Sequence, residues 1–131
     1  MNSIKLLASG MYLPKQKIEN EVLNEKFGID KNWIYKRTGI KTRYWAEEET
    51  TLDLAIKAVE NLKEKSDLDF SKIGLIIVAS TNFENTMPGI SFEIQKYFGI
   101  TNCMCMDLLA GCCGYINGID IARKYLEVEE V

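Results

Sequence analysis

The amino-acid sequence predicts an α/β layered fold with a mainly parallel sheet flanked by helices. Two apolar runs, 73–79 and 101–107, are typical of strands inside a sheet. The segment 51–65 carries apolar residues at three- and four-residue steps, which is the spacing of an amphipathic helix. Strands and helices that alternate along a chain favour a layered α/β architecture.

The amino-terminal part of the chain predicts shorter elements. Gly10 ends an apolar run and Gly28 closes a helical one, while Asp30 is a suitable N-cap for the next helix. The elements expected there are a strand over 3–9, helices over 20–27 and 30–36, and a strand over 40–45.

Later elements follow from turn residues and periodicity. The run 73–79 is almost continuously apolar and includes β-branched residues, so we expect a strand buried on both faces. A polar loop follows, after which Pro88 is expected to open a helix and Gly99 to close it. A last helix is expected to run to about residue 128, after the turn that ends the second strand.

Composition excludes several classes of function. The 131 residues carry a net charge of −3 and include no histidine, so this chain alone forms no Ser-His-Asp triad, Cys-His pair or histidine metal site. The acidic balance argues against nucleic-acid and anionic-membrane partners. No apolar run approaches the ~20 residues of a membrane span, and the amino terminus is a poor secretion signal. We expect one domain, 1–131, in the cytoplasm.

The four cysteines lie within eleven residues, which is unlike a spread disulfide framework. Their spacing also fits poorly with the paired knuckles of structural zinc, so we expect no metal. Cys103 and Cys105 are two apart in an apolar run and are expected on one face of a strand as small hydrophobic residues. Cys112 and Cys113 require another explanation.

The segment 106–115 places these two cysteines between a strand and a helix. The start of a helix offers unpaired N–H groups and a positive dipole, which stabilise a thiolate. Small neighbouring residues leave room for an acyl substrate. Buried cysteines at a tight turn are also common as structural residues. From these residues alone, the nucleophilic and the structural interpretation both remain open.

Two further segments are candidates for binding. Trp33 and Arg37 share one helical face, where they can stack on a nucleotide base and meet a phosphate. The alternative is ordinary surface packing of an arginine stem on a tryptophan. The loop 82–88, with Met87 near its end, either lines an acyl tunnel or simply connects two elements.

Together these segments resemble a known family in their order and spacing. The landmarks are the segment from Gly10 to Pro14, the Trp33 helix with Arg37-Thr38-Gly39-Ile40, the strand 73–81, and Asp107 followed by Ala110-x-Cys112-x-Gly114-Tyr115. They resemble the amino-terminal half of β-ketoacyl-acyl-carrier-protein synthase III in the thiolase superfamily, over essentially all 131 residues. The resemblance implies one half of a thiolase-like layered fold, with the carboxy-terminal half absent.

The resemblance also implies a chemistry and its residues. Cys112 would take an acyl group from acyl-CoA as a thioester, which is then condensed with malonyl-acyl-carrier protein in fatty acid biosynthesis. Trp33 and Arg37 would contact coenzyme A, and Met87 would shape the acyl pocket across a dimer interface. No cofactor is implied. The family's catalytic histidine and asparagine belong to the second half, so this chain alone is expected to be acylated at most.

Three residues depart from the family pattern: Ile29 replaces a hydroxyl residue, Gly111 replaces an alanine, and Cys113 replaces a small inert residue. Other interpretations therefore stay open. They are a non-catalytic interaction module, one half of a split enzyme, and a relative resembling hydroxymethylglutaryl-CoA synthase or a secondary-metabolite condensing enzyme. Half of a layered fold also exposes apolar surface, which predicts a homodimer or pairing with a complementary half.

Overall fold

The computed structural model of the chain describes residues 4–30 and 32–128. This part of the chain contains four strands and five α-helices. In order they are β1 (Gln16–Glu19), α1 (Asn20–Phe27), α2 (Trp33–Thr38), β2 (Thr42–Trp45), α3 (Thr51–Glu64), β3 (Leu75–Ala79), α4 (Ile90–Phe98), β4 (Met104–Leu108) and α5 (Gly114–Glu127). Single-turn 3-10 helices occupy Phe70–Lys72 and Gly111–Cys113.

The strands form two separate pairs. β3 and β4 are parallel, with Leu75 opposite Met104 and Ala79 opposite Leu108, as the sequence predicted for its two apolar runs. β1 and β2 form an antiparallel pair, in which Glu19 lies opposite Thr42. β1 was not predicted, because the short stretch 16–19 has only one apolar residue and its partner strand is distant in the chain.

Helices cover the two faces of the β3–β4 pair. α4 packs against both strands, and α3 packs against α4. α5 packs on β3, where Gly118 approaches Ile77 and Gly114 approaches Ala79. Asp107 pairs with Val78, and its carboxylate reaches the start of α4, so these two residues point to the α4 face of the sheet. Ile77 and Ala79, which flank Val78 in β3, point to the opposite face, and α5 covers that face. Among the residues that the structure describes, the buried apolar side chains are Ile18, Ile90, Ile94 and Ile100.

Two sequence predictions about strands are wrong in detail. Residues 4–9 of the expected first strand are not in a strand, and residue 3 lies outside the described residues. Apolar composition does not make a strand without a ladder partner; Gly10, which follows this segment, lies against Ala58 and Leu62 of α3. β3 is half-buried rather than buried on both faces, since an open groove separates it in part from α5.

Helix boundaries agree better. Gly28 and Gly99 both adopt the left-handed conformation expected after α1 and α4. α2 begins later than predicted, because its N-cap is Asn32 and not Asp30. The Asp30 side chain accepts a hydrogen bond from the Asn32 N–H, ahead of the helix. Pro88 does not belong to α4, whose N-cap is Gly89. Because Pro88 lies two positions ahead of the first helical residue, its ring restricts the backbone of the segment before α4 and not the first turn of the helix.

Candidate active site

The predicted nucleophile, Cys112, lies in the middle of the 3-10 turn between β4 and α5. Inside this turn the Cys113 N–H donates to the Ala110 carbonyl at 3.2 Å, and the Gly114 N–H donates to the Gly111 carbonyl. Cys112 and Cys113 are both exposed free thiols. The turn therefore presents Cys112 at the carboxyl end of a parallel strand and directly ahead of a helix, as the sequence predicted.

Glycine allows this turn to form and to lie close to the sheet. Gly111 has φ 52°, a left-handed conformation that alanine adopts only with strain. A Cβ on Gly114 would lie 3.0 Å from the Ala79 Cβ, so α5 begins in tight contact with the end of β3. Gly111 thus allows the left-handed conformation before Cys112, and Gly114 allows the close contact between α5 and β3 after it.

An open groove of about 820 Å³ runs from the Cys112 turn along β3 and α5. Its walls are mainly apolar side chains of β3 and α5, and Leu7 of the amino-terminal segment closes part of one side. Cys112 lies at one end of this lining, together with Gly111 and Tyr115. The groove is thus large and apolar enough to accommodate a small organic group beside the thiol.

The other two cysteines are poor nucleophiles. Burial raises the pKa of the Cys105 thiol to about 11, and burial also raises the pKa of Cys103. Both remain protonated at neutral pH, and a thiol reacts as a nucleophile only after it loses its proton. Both are half-buried, which agrees with the prediction that they act as small hydrophobic residues, but only Cys105 lies in β4, and Cys103 directly precedes this strand. Among the four cysteines, Cys112 and Cys113 remain as candidates.

Trp33 and Arg37 lie together on α2, away from the groove lining. The Arg37 guanidinium carbon is 5.0 Å from the centroid of the Trp33 ring, which is cation–π geometry, and 47% of Trp33 is exposed. Neither residue contributes to the described lining of the Cys112 groove. The pair is therefore a separate exposed platform, and its predicted contact with coenzyme A stays a prediction.

Met87 is 88% exposed in the loop between β3 and α4, and its peptide bond to Pro88 is cis. Beside this loop is a cleft of about 440 Å³, lined by loop residues together with Asp107 and Leu109. Leu109 is three residues ahead of Cys112 and is itself exposed. The loop thus lies against the segment that leads to Cys112, whereas the predicted role of Met87 in an acyl pocket stays a prediction.

The hydrogen bond between Asp107 and the start of α4 was not predicted from the sequence. Its Oδ1 accepts a hydrogen bond from the Ser91 N–H at 2.9 Å, and a Cβ on Gly89 would overlap its Oδ2. Gly89 supplies no capping side chain, so Asp107 from β4 satisfies the start of α4 instead. An acidic residue inside an apolar strand is the signal that could have predicted this contact.

No three His, Cys, Asp or Glu side chains within residues 4–30 and 32–128 are arranged to hold a metal ion. In the same part of the chain, no helix combines the length and the apolar character that a membrane span requires. Neither finding adds a component to the site.

Relatives of known name match nearly the whole chain, although no family model matches it. The β-ketoacyl-[acyl-carrier-protein] synthase III of Streptococcus sanguinis is 36% identical over 126 residues, which are 96% of this chain and 39% of the synthase. The synthase III 1 of Vibrio parahaemolyticus is 37% identical over 124 residues, which are 94% of this chain and 39% of that protein. The chain thus spans about two fifths of the length of these curated relatives.

Solved structures give the same result. The synthase III of Thermus thermophilus superposes with a TM-score of 0.86 at 34% identity and covers 95% of this chain and 39% of its own. The 3-oxoacyl-[acyl-carrier-protein] synthase III of Aquifex aeolicus also gives a TM-score of 0.86, at 29% identity, over 94% of this chain and 40% of its own.

The fold and these comparisons show that the chain has the thiolase-like fold of these acyl-condensing enzymes. Within that class it is similar to the amino-terminal portion of β-ketoacyl-[acyl-carrier-protein] synthase III, as the sequence motifs indicated.

Proposed function

We propose that the chain is the nucleophile-bearing part of a β-ketoacyl-[acyl-carrier-protein] synthase III, which accepts an acyl group from acyl-CoA on Cys112. The observation that carries this proposal is the exposed Cys112 in a strand–turn–helix junction beside an apolar groove. The relatives' names supply the reaction class and the carrier-protein substrate. In this proposal the domain is 1–131, and a complementary half lies outside these residues.

The first step is a thioester exchange. The Cys112 sulfur, as thiolate, attacks the carbonyl carbon of acyl-CoA, and the bond from that carbon to the coenzyme A sulfur then breaks. Coenzyme A leaves as a thiolate and takes up the proton that Cys112 released, so atoms and charge balance. The positive end of α5, directly after the turn, favours the negative charge that develops on the carbonyl oxygen.

Coenzyme A would bind on the platform formed by Trp33 and Arg37. An exposed indole can stack on an adenine ring, and an exposed guanidinium can pair with a phosphate. Met87 would contribute to the acyl pocket next to a second subunit, since its side chain extends from the loop into solvent. The chain requires no cofactor in this scheme.

Condensation with malonyl-acyl-carrier protein would need further groups. Loss of carbon dioxide produces an enolate, whose oxygen needs hydrogen-bond donors, and this chain has no histidine to supply one. In the proposal these donors come from a complementary half. The proposed location is the cytoplasm, where thiols stay reduced; all four cysteines of this chain are free in the structure.

A second candidate is a non-catalytic module that pairs with another chain or with itself. The favouring observation is the extent of exposed apolar surface, which includes Leu6, Leu7, Leu109, Tyr115 and Ile116. Under this candidate, replacement of Cys112 leaves partner binding intact. A related chemistry on the same thioester, such as that of hydroxymethylglutaryl-CoA synthase or a secondary-metabolite enzyme, would be separated by its substrate profile.

The deciding experiment is intact mass spectrometry of the chain before and after exposure to short acyl-CoA thioesters. We expect one acyl adduct in the unmodified chain and in Cys113→Ala, and none in Cys112→Ala. Cys113→Ala is a matched control, because it removes an exposed thiol from the adjacent position. Absence of an adduct from the unmodified, folded chain contradicts the enzymatic proposal and favours the interaction module.

A further inference from the structure

Cys113 has no part in the proposed acyl transfer, although it lies next to the proposed nucleophile. Cys112 and Cys113 are both exposed free thiols, and a trans peptide bond joins them in the 3-10 turn between β4 and α5. Cys112 lines the apolar groove, whereas Cys113 is not part of the described lining. A second exposed thiol at this place therefore needs an explanation of its own.

The exposed pair is also where a small oxidant reaches this chain first. Oxidation of cysteine by peroxide requires access to the sulfur and loss of the thiol proton. Cys103 and Cys105 are half-buried, and burial raises the pKa of both thiols, to about 11 for Cys105. Cys112 and Cys113 are exposed. A sulfenic acid formed at Cys112 has a free thiol in the adjacent residue, and a sulfenic acid condenses with a thiol to a disulfide.

A disulfide between these adjacent residues is strained and therefore easily reduced. Adjacent α-carbons are about 3.8 Å apart across a trans peptide, whereas those of ordinary disulfides are about 4.4–6.8 Å apart. To close the bond, the turn must give up its present form, in which the Cys113 N–H donates to the Ala110 carbonyl at 3.2 Å. Gly111 directly precedes the pair, and a glycine backbone reaches conformations that other residues avoid. Strained, exposed disulfides are the reversible ones rather than the structural ones.

We propose that Cys112 and Cys113 form a reversible oxidation site, in which Cys113 is the resolving thiol for Cys112 after attack by a peroxide. The Cys112 sulfur takes one oxygen from hydrogen peroxide, the O–O bond breaks, and water leaves, so that the sulfur is oxidised to a sulfenic acid and the peroxide is reduced. The Cys113 sulfur then attacks the Cys112 sulfur, the S–O bond breaks, and hydroxide leaves as water with the Cys113 proton. Two thiols and one peroxide thus give one disulfide and two molecules of water.

A small thiol such as glutathione reverses the oxidation. One glutathione attacks the disulfide and forms a mixed disulfide, and a second releases the reduced pair and leaves as glutathione disulfide. While Cys112 is bonded to Cys113 it cannot attack acyl-CoA, and it is protected from oxidation to sulfinic and sulfonic acids, which glutathione does not reverse. The inference goes beyond the proposed function, since the oxidation needs no acyl substrate.

The test exposes the folded, reduced chain and its Cys113→Ser variant to hydrogen peroxide, which catalase then removes. Free thiols are blocked with iodoacetamide in urea, reversibly oxidised ones are reduced with glutathione and labelled with N-ethylmaleimide, and tandem mass spectrometry assigns each label. In the unmodified chain we expect the second label on Cys112 and Cys113 together, with an intact mass near 14.9 kDa before reduction. In Cys113→Ser we expect the fraction of Cys112 that glutathione restores to fall by about tenfold, since sulfinic and sulfonic acids accumulate.

Cys103→Ser is the matched control, because it removes a half-buried thiol ahead of β4, and it is expected to leave the restored fraction of Cys112 unchanged. Equal loss of Cys112 to sulfinic and sulfonic acids in the unmodified chain and in Cys113→Ser overturns the inference, as does a disulfide that joins two chains. Acylation of the reduced chain is measured separately. An acyl adduct without the disulfide overturns this inference alone, and the disulfide without an adduct contradicts the proposed function alone.

Discussion

The α-carbon of Gly89 lies against the carboxylate of Asp107, so closely that a Cβ on residue 89 would overlap Oδ2 of the aspartate. This contact joins the end of loop 80–89 to β4, five residues before Cys112. It also brings a half-buried carboxylate to the positive end of α4, where the Ser91 N–H donates a hydrogen bond to it. The strand that leads to the candidate nucleophile and the loop beside it are therefore held by one carboxylate.

Gly89→Ala is expected to lower the free energy of unfolding by about 1–3 kcal/mol, since the added methyl group must displace Asp107 or the start of α4. Urea unfolding measures the change. Gly118→Ala is the matched control and is expected to raise stability by about 0.5–1 kcal/mol. Its Cβ would lie 3.5 Å from Ile77, an ordinary contact, and alanine favours a helix interior. A neutral or stabilising Gly89→Ala would contradict the close approach of Asp107.

Thiol labelling is expected to distinguish two pairs of cysteines. With a pKa of about 11, Cys105 has about one thiolate in three thousand molecules at pH 7.5. Iodoacetamide should therefore modify Cys112 and Cys113 in the folded chain and spare Cys103 and Cys105. Peptide mapping by mass spectrometry reports the order of labelling, and the same reaction in urea should modify all four. Equally fast labelling of Cys105 in the folded state would refute this prediction.

Stability is expected to fall in acid through Glu49. Hydrogen bonds from Lys57 and then from Tyr12 lower the pKa of Glu49. A carboxyl with a lower pKa in the folded state contributes stability that is complete above its unfolded pKa, near 4.5, and that is lost as the pH falls through the folded value. Glu49→Gln should therefore reduce the loss of Tm between pH 6 and pH 3. Glu48→Gln removes the preceding, exposed carboxylate and should leave the acid-induced fall in Tm unchanged. Identical Tm profiles for the two variants would exclude this role of Glu49.

Arg37→Ala is expected to weaken binding of coenzyme A by about tenfold, since it removes both a phosphate partner and the cation over Trp33. The chain has two tryptophans, so a Trp45→Phe background leaves Trp33 as the single tryptophan, and its fluorescence quenching reports binding. Lys36→Ala removes a neighbouring exposed cation from the same helix and should change the affinity much less. Equal losses in the two variants would mean that only net charge matters.

The exposed apolar face of α5 predicts self-association of the chain. Ile116 is 65% exposed and Tyr115 beside it 69%, so a second copy that covers them gains hydrophobic burial. Light scattering should give a mass above 14.9 kDa that depends on concentration, and Ile116→Lys should shift it toward 14.9 kDa. Val22→Lys on α1 adds the same single positive charge to another exposed apolar residue and should leave the mass unchanged. A mass of 14.9 kDa at every concentration would contradict the prediction.

Local signals predicted most helices and the central strand pair. The positive φ of Gly28 and Gly99 follows from the lack of a Cβ, which makes glycine the preferred residue after a helix. Thr50 and Asp53 form a capping box at the start of α3, which is again an interaction between near neighbours in the chain. Such features depend on a few adjacent residues, so the sequence is sufficient to predict them.

Features that depend on distant partners were missed or misjudged. Residues 4–9 have the composition of a strand but no described strand pairs with them, whereas the mostly polar β1 becomes a strand because β2 lies beside it. Cys112 was predicted from its own turn and from the family motif. The attachment of Glu84 to Thr51, 33 residues apart, gave no sign in the sequence.

Composition, periodicity and glycine positions predicted the α/β class, the order of most helices and strands, and the cysteine at the junction of β4 and α5, because these signals act within a few residues. The thiolase-like class followed from the resemblance of the sequence motifs to a known family. The tertiary structure decided which apolar segments pair as strands, that burial raises the pKa of Cys105, and that two carboxylates from distant segments hold loop 80–89 at the starts of α3 and α4. Strand pairing, burial and electrostatic contact are properties of distances in space, and those distances exist only once the chain has folded.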